Sequence, residues 1–299
     1  MTHPSLHSMP STLPSVHTDG GRYRQAYQHL HECCNEHQGM RDFFKNELPD
    51  IMSSALNGKS VLNVIVFGSG SGHLDLDMLS AIHLKYPEVT VANEVVEPST
   101  HFFHQYKDLV SQTPGLDYIN CSWKQLTVEE FEKDWKENET TKKVDLIHMF
   151  QMLYYVKDFR HTISFLQSLL NKNGKLLISI QTGDNGWSRL EKKYYKEFAG
   201  WLCPFSDDVK RELDAKGQRY QSYCLQSQVD ITECFNEGDK NGDLILDYIT
   251  EVLNFRKSAS AELKAGVLEM LGHPDCSVKS NGKIMLDSSS EVIVIDPLI

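Results

Sequence analysis

The sequence lacks several features that would assign it to a specialised class of protein. No apolar run is long enough to cross a membrane, and the first residues lack the basic start and apolar centre of a secretory signal. Basic residues are outnumbered, with 30 Lys and Arg against 41 Asp and Glu, and the formal net charge is -11. The seven cysteines contain no C-x-x-C pair, which favours reduced thiols. The sequence therefore predicts a cytoplasmic protein that binds neither nucleic acid nor a membrane.

Two patterns resemble metal sites, but each lacks a required ligand. The stretch EGDKNGD at 237–243 has the spacing of a calcium loop, yet its twelfth position is Tyr248, where a bidentate Glu is needed. The thirteen histidines form no H-E-x-x-H pattern or similar zinc spacing, and Cys33 and Cys34 have no recognisable partner. We therefore predict a turn at 237–243, inert thiols and no metal site.

Alternating strand and helix patterns predict an α/β fold. Strands are predicted at about 61–67, 88–96, 117–122, 143–149 and 174–181. Helical spacing lies between them, at about 73–85, 99–112, 127–138 and 157–170. Such alternation requires crossover connections, so the sheet should be mostly parallel with helices on both faces.

The alternation weakens after Gly183, where helices are predicted within 184–216 and a strand near 219–228. The final stretch KIMLDSSSEVIVIDP predicts a pair of strands at an antiparallel edge. We divide the chain into a flexible leader at 1–20, an N-terminal helical cap at 21–56 that contributes to the substrate pocket, and a core at 57–299. The core carries substrate-domain insertions near 184–216 and 229–278.

The stretch VLNVIVFGSGSGHLDLDML, residues 61–79, runs from an apolar strand into Gly68, Gly70 and Gly72. Glycine permits positive φ and leaves no Cβ between the backbone and a ligand, and nucleotides bind at such turns in open α/β sheets. His73 occupies the last position of a dinucleotide G-x-G-x-x-G fingerprint, and no Lys-Ser/Thr pair follows, so neither that fingerprint nor a P-loop fits. A plain strand-to-helix turn is the alternative.

The second strand, in VTVANEVVEPS at 89–99, ends in Glu97. A carboxylate there can accept hydrogen bonds from both ribose hydroxyls of an adenosine. The pattern G-x-G-x-G followed by this acid is typical of Rossmann-like class I methyltransferases and predicts S-adenosyl-L-methionine as the cofactor. That class usually has an acid two places before the first glycine, where this sequence has Val66. The alternative for Glu97 is a solvated residue at the start of the next helix.

Five stretches resemble the histamine N-methyltransferase family: NEHQGMRDF at 35–43, NEVVEPS at 93–99, VDLIHMFQMLYYVKD at 144–158, GDNGW at 183–187 and CFNEGDKNGDLILDYITE at 234–251. The resemblance extends from about residue 20 to the end. It implies a mostly parallel seven-stranded sheet with a smaller substrate-binding subdomain. It also implies a monomeric cytosolic enzyme that methylates an imidazole ring nitrogen of a small amine, with histamine as the first candidate.

The resemblance also implies a role for individual residues. Those on the cofactor side are Gly68, Gly70, Gly72, Glu97, Phe150 and Thr127. Glu36 would hold the cationic amine and Gln151 would lie beside the imidazole ring, while the aromatic walls would be Tyr23, Tyr27, Tyr154, Tyr155, Trp187, Phe198 and Tyr248. No general base is needed, because a neutral imidazole nitrogen already carries a lone pair, so alignment by Gln151, Tyr154 and Tyr155 should suffice. The alternatives are a helix-end role for Glu36 and core packing for the aromatic residues.

Several positions depart from the family pattern. Ser288 stands in place of a substrate-contacting Asn, Glu191 in place of a second Trp, and Tyr27 and Leu30 in place of two Phe. On the cofactor side, Phe102 replaces a Gln, and Val128, beside Thr127, replaces a hydroxyl residue. Because these changes alter the size and polarity of the pocket, carnosine is an alternative substrate. If Glu191 simply faces solvent, histamine remains the expected substrate.

Two more distant alternatives remain. A nicotinamide-dependent dehydrogenase is disfavoured by His73, and a non-catalytic cofactor-binding protein is disfavoured by the presence of Glu36, Glu97 and Gln151.

Overall fold

Seven strands of the chain form one sheet. The computed structural model describes residues 13–198 and 203–298. Residues 1–12 of the predicted leader and 199–202 of the predicted insertion lie outside the described residues. The sheet contains β1 (Val61–Phe67), β2 (Thr90–Val96), β3 (Ile119–Lys124), β4 (Val144–Phe150), β5 (Leu170–Gln181), β6 (Tyr220–Leu225) and β10 (Ser290–Ile295), in the order β3-β2-β1-β4-β5-β10-β6.

The central strands of this sheet are parallel and end together. β1 runs parallel to β2 and β4, and β2–β3 and β4–β5 are also parallel pairs. Phe67 lies opposite Val96 on one side and Met149 on the other. The residues that follow these three strands therefore leave the sheet at the same edge, where ligands bind in open α/β sheets.

The chain divides into two compact units. The first, which we call the sheet unit, comprises Gln38–Ile180, Ser206–Cys224 and Glu291–Ile299, and the second, the accessory unit, comprises Met1–His37, Gln181–Phe205 and Leu225–Ser290. The helices in or entering the sheet unit are α2 (Glu36–Asn46), α3 (Leu48–Ile51), α4 (Ser53–Leu56), α5 (His73–Lys85), α6 (Thr100–Gln112), α7 (Val128–Glu137), α8 (Phe159–Leu169) and α10 (Ser206–Ala215).

The sheet unit has its own apolar core. Phe131 of α7 and Leu166 of α8 are fully buried, together with Phe67 and Ile147 from the strands. The apolar residues of α7 recur at helical spacing, and Thr127 and Glu130 form a capping box that starts this helix. The strands that alternate with amphipathic helices therefore form the α/β architecture that the sequence predicts.

The accessory unit combines helices with a small antiparallel sheet. Its helices are α1 (Gly20–Cys33), α9 (Gly186–Tyr194), α11 (Lys240–Thr250), α12 (Phe255–Ser258) and α13 (Ala261–Leu271), and a 3₁₀ turn that we call η3 spans Thr232–Phe235. Its strands are β7 (Gln228–Asp230), β8 (Ser277–Ser280) and β9 (Lys283–Asp287), with β9 between the other two. In the described part of the chain, no helix is both long and apolar enough to cross a bilayer.

The α/β class and the mostly parallel seven-stranded sheet are confirmed, but the predicted pairing of the last two strands is wrong. β9 belongs to the small sheet, whereas β10 lies between β5 and β6. Burial explains the separation: all six residues of β10 are buried, as an internal strand requires, while β9 is only partly buried.

At 237–243, Asp239 caps the start of α11 by accepting hydrogen bonds from the Asn241 and Gly242 amides.

Candidate functional site

Three glycines after β1 adopt left-handed backbone conformations in the sheet unit. Gly68, Gly70 and Gly72 have φ values of 67°, 55° and 84°. A Cβ on Gly72 would lie 2.0 Å from the ring of Tyr106, and one on Gly68 would lie 2.5 Å from Met152. A Cβ on Gly70 would meet no described atom within 4 Å. Gly68 and Gly72 are thus required by packing, and Gly70 is the position where a ligand can approach the backbone.

Glu97 is joined to this turn by hydrogen bonds. Its Oε2 accepts a hydrogen bond from the Gly70 amide at 3.1 Å, and its Oε1 accepts one from the Ser99 amide at 2.8 Å. Burial raises the pKa of the Glu97 carboxyl, while the two amides oppose that rise. Each carboxylate oxygen retains a second lone pair. The side chain can therefore accept two further hydrogen bonds, which suits the predicted contact with ribose hydroxyls.

Gln151 follows β4 in an uncommon backbone conformation, with φ of 49°. Its amide N–H donates to the Ser179 carbonyl at 2.9 Å, and its Nε2 donates to Ser179 Oγ at 3.4 Å. The Tyr154 hydroxyl donates to Gln151 Oε1 at 2.7 Å. A left-handed non-glycine residue carries strain that the surrounding structure must hold, and such residues concentrate at functional sites. These contacts fix the orientation of the side-chain amide.

A buried polar pair of which the sequence pattern gives no sign lies in the sheet unit. His148 Nε2 lies 3.4 Å from Asp75 Oδ1, and both side chains are about 2% exposed. Burial raises the pKa of Asp75 well above its ordinary value and lowers the pKa of His148 to about 3. The His148 imidazole is therefore neutral near pH 7, and burial favours the protonated form of the Asp75 carboxyl. His148 also stacks on Phe150, with ring centroids 4.3 Å apart.

The accessory unit gathers four of the predicted aromatic residues. The ring of Tyr248 on α11 lies 5.9 Å from Tyr23, 6.1 Å from Tyr27 and 6.0 Å from Trp187 on α9, measured between centroids. The buried Trp187 Nε1 has no hydrogen-bond partner among the described residues. Electron-rich ring faces attract cations, and the indole N–H can donate to a polar ligand. We call Tyr23, Tyr27, Trp187 and Tyr248 the aromatic cluster.

Carboxylates lie next to the aromatic cluster. Glu191 is one helical turn after Trp187, and Glu251 follows Tyr248 by three residues. Burial, together with the nearby Glu251 carboxylate, raises the pKa of Glu191 to about 8. Glu251 Oε1 also lies 3.8 Å from His17 Nε2, whose ring is 4.7 Å from that of Tyr23. Glu191 is half-buried, and its raised pKa leaves the carboxyl mostly protonated near pH 7.

Glu36 and Ser288 are connected through a short polar network in the accessory unit. The Glu36 amide donates to Cys34 Sγ at 3.4 Å, Cys34 Sγ lies 3.6 Å from Ser227 Oγ, and Ser227 Oγ lies 2.9 Å from Ser288 Oγ. Burial and the Glu36 carboxylate raise the pKa of the Cys34 thiol. Ser288 is buried. The structure therefore brings the predicted amine ligand and the Asn-to-Ser position into one neighbourhood.

Three other predicted residues have surroundings that differ from a simple pocket wall. Phe198 is 5% exposed and packs near Tyr194 and Phe255, in the core of the accessory unit. Thr127 Oγ1 accepts a hydrogen bond from the Glu130 amide as a helix cap. Tyr155 is 37% exposed. Core packing, the alternative stated above, fits Phe198 better than it fits the aromatic cluster.

Comparisons of the sequence with known proteins give consistent matches. Residues 35–222 match a family model described as a methyltransferase domain. The histamine N-methyltransferase of Danio rerio is 47% identical over 292 residues, which cover 97% of this chain and all of that protein. Histamine N-methyltransferase B of Xenopus laevis is 43% identical, covering 96% and 99% of the two chains. The histamine N-methyltransferase of Mus musculus is 38% identical with the same coverage.

Solved structures share the fold at low sequence identity. A methyltransferase described as putative, from Bacillus halodurans, aligns with a TM-score of 0.54 and 12% identity, covering 84% of this chain and 99% of that one. A loganic acid methyltransferase solved with SAH also aligns with a TM-score of 0.54, at 8% identity, covering 94% and 98%. These likenesses show that the chain has a class I methyltransferase fold.

Proposed function

Because the chain belongs to the histamine N-methyltransferase family, we propose that it methylates an imidazole ring nitrogen of histamine with S-adenosylmethionine as the methyl donor. The observation that carries this proposal is the 47% identity to a histamine N-methyltransferase across the full length of that protein. The residues expected to bind both ligands are present, which argues against a dehydrogenase or a non-catalytic binding protein.

The turn after β1 and the end of β2 suit an adenosine-containing donor. Gly70 has an open side for close approach, and the two Glu97 oxygens each keep a lone pair for a ribose hydroxyl. Phe150 ends β4, one residue after the Met149 that lies opposite Phe67, and so leaves the sheet at the same edge. S-adenosylmethionine supplies the methyl group when it is bound, and these residues would hold it.

We propose that Gln151 determines which ring nitrogen of the imidazole carries the attacking lone pair. Its Oε1 accepts a hydrogen bond from Tyr154, and an amide oxygen can accept two hydrogen bonds. If Oε1 accepts the N–H of the ring when the substrate binds, the other ring nitrogen must carry the lone pair that attacks. Orientation of this kind can contribute several orders of magnitude to the rate without a general base. The product ring can then lose its proton to water.

The amine of the substrate is proposed to be recognised by negative charge and aromatic faces. Glu36 provides a carboxylate for a charge-assisted hydrogen bond, and the aromatic cluster provides cation–π contacts. Glu251 adds further negative charge beside Tyr248 of that cluster, whereas Glu191, with its pKa raised to about 8, is mostly protonated near pH 7. Carnosine would bring its own carboxylate toward these acids, whereas histamine has none. The acidic surroundings therefore favour histamine over carnosine.

We further propose that the enzyme acts as a cytoplasmic monomer. The seven cysteines are all free in the described structure, which is compatible with a reducing compartment. Light scattering at micromolar concentration should give a mass near 34.2 kDa. A mass of twice that value would rule out the monomer.

Methyl transfer from labelled S-adenosylmethionine tests the function directly. Histamine, carnosine and histidine should be compared at equal, subsaturating concentrations, so that the rates report relative kcat/KM. We expect histamine to be preferred, and Glu191→Trp to keep histamine methylation measurable. A preference for carnosine that Glu191→Trp reverses would assign the enzyme to carnosine instead. Absence of transfer to all three acceptors would overturn an imidazole substrate.

A further inference from the structure

A cluster of three metal-binding side chains lies in the accessory unit, outside the residues assigned to either ligand. His29 and Cys33 are four residues apart on α1, so they share one face of the helix. Glu233, from η3, reaches the same point. His29 Nε2 lies 3.1 Å from Glu233 Oε2 and 3.7 Å from Cys33 Sγ, and one ligand atom from each side chain lies within 4.8 Å of the others.

These distances fit a tetrahedral ion after small side-chain rotations. Zinc binds imidazole nitrogen, carboxylate oxygen and thiolate sulfur at about 2.0–2.3 Å, which separates neighbouring ligand atoms by roughly 3.3–3.6 Å. Imidazole and thiolate are poor ligands for Mg²⁺ and Ca²⁺, which prefer oxygen, and they suit a borderline-soft ion.

The groups behind the ligands are also arranged as zinc sites require. Glu32 Oε2 lies 3.5 Å from His29 Nδ1, where a carboxylate can accept the N–H of the ring and leave Nε2 for the ion. Asn241 Nδ2 lies 3.3 Å from Glu233 Oε1, the oxygen that does not face His29. All three ligand residues are partly exposed, so an ion can enter from solvent.

We propose that His29, Cys33 and Glu233 bind one Zn²⁺ ion, with water as the fourth ligand. On binding, the Cys33 thiol releases its proton to solvent, and the ion replaces the direct His29–Glu233 contact. The ion would tie α1 to η3 and so restrain the helix that carries Tyr23 and Tyr27. The spacing in the sequence gives no sign of this site, because Glu233 is 200 residues away from Cys33.

Metal binding to the full-length protein tests the proposal without reference to activity. After chelator treatment and dialysis, competition with a chromophoric chelator should show one Zn²⁺ per chain. His29→Gln, Cys33→Ser and Glu233→Gln should each weaken that binding at least tenfold. Cys224→Ser, which alters an exposed cysteine in the sheet unit, should leave it unchanged. Less than one bound zinc, or equal affinity in all these variants, would overturn the site.

Cobalt substitution identifies the ligands if a variant proves unstable. Co²⁺ bound to the unaltered protein should show a thiolate-to-metal charge-transfer band and the intense visible bands of tetrahedral coordination. Cys33→Ser should lose the charge-transfer band, while Cys224→Ser should keep it. Circular dichroism of each variant establishes that it is folded. A Co²⁺ spectrum without a thiolate band, or one that Cys33→Ser does not alter, would refute the proposal.

Discussion

At the scale of single residues, Glu97 offers the sharpest test of donor binding. Glu97→Gln removes the charge but keeps one oxygen acceptor. The loss of a charged hydrogen bond costs roughly 1.5–3 kcal/mol, so we expect about a 10- to 100-fold weaker affinity for S-adenosylmethionine by calorimetry. Glu94→Gln alters a half-buried carboxylate on β2, the strand that Glu97 follows, and this carboxylate lies 3.6 Å from Lys124. This variant should bind the donor normally. Equal affinities for the two variants would refute the ribose assignment.

Residue-scale prediction from the sequence succeeds where the chemistry is local. Gly70 and Glu97 can be singled out because Gly70 lies in the turn after β1 and Glu97 directly follows β2, and parallel strands place such positions at one edge. The Asp75–His148 pair cannot be found this way, since its members are distant in the chain and meet only through packing. His17 and Glu251 are missed for the same reason.

At the scale of an element, the turn between β1 and α5 predicts losses of stability of different size for two similar substitutions. Gly72→Ala would drive a Cβ to 2.0 Å from Tyr106, and overpacking of that kind costs about 1–3 kcal/mol, in addition to left-handed strain. Gly70→Ala meets open space, so only the strain of about 1–2 kcal/mol remains. Urea unfolding should show the larger loss for Gly72→Ala.

The same pair of variants separates stability from binding. Gly70→Ala should weaken binding of the donor more than its small stability loss accounts for, because the new methyl group occupies the open side of the turn. Calorimetry on folded protein measures this. Normal donor affinity in Gly70→Ala would mean that the open side faces only solvent.

Glu191 on α9 makes the stability of the protein depend on pH. Its pKa of about 8 lies above the ordinary 4.5, so the folded protein holds a proton that the unfolded chain releases between those values. Stability must therefore fall as pH rises through this window. Glu191→Gln has no carboxyl to titrate at this position. The free energy of unfolding of this variant minus that of the unaltered protein should therefore increase from pH 5 to about pH 8 and then level off.

Denaturant unfolding at several pH values measures this difference, and Glu262→Gln is the matched control. Glu262 is an exposed residue in the first turn of α13. Its substitution should leave the pH profile unchanged. Parallel profiles for Glu191→Gln and the unaltered protein would show that Glu191 is hydrated.

The sequence indicates which helices exist here, but it cannot show that Glu191 and Glu251 approach each other, because that depends on how α9 packs near α11.

At the scale of the whole molecule, the two units explain why domain boundaries are hard to predict. The chain passes between the units after His37, Ile180, Phe205, Cys224 and Ser290. No single cut in the sequence separates them, although the alternation of strands and helices identifies most of the sheet unit. The terminal strands show the same limit, since β9 and β10 are neighbours in the chain but belong to different sheets.

The division into units predicts where each ligand changes backbone protection. S-adenosylhomocysteine alone, the donor without its methyl group, should slow hydrogen exchange in the turn 68–72 and around Glu97, because both belong to the sheet unit. Addition of histamine should then slow exchange in α1 and α11, which carry the aromatic cluster. Mass spectrometry of peptides from the full chain measures both steps. Protection of α1 and α11 by S-adenosylhomocysteine, to the same extent as the glycine turn, would show that donor recognition requires both units and that the residue assignments made above are incomplete.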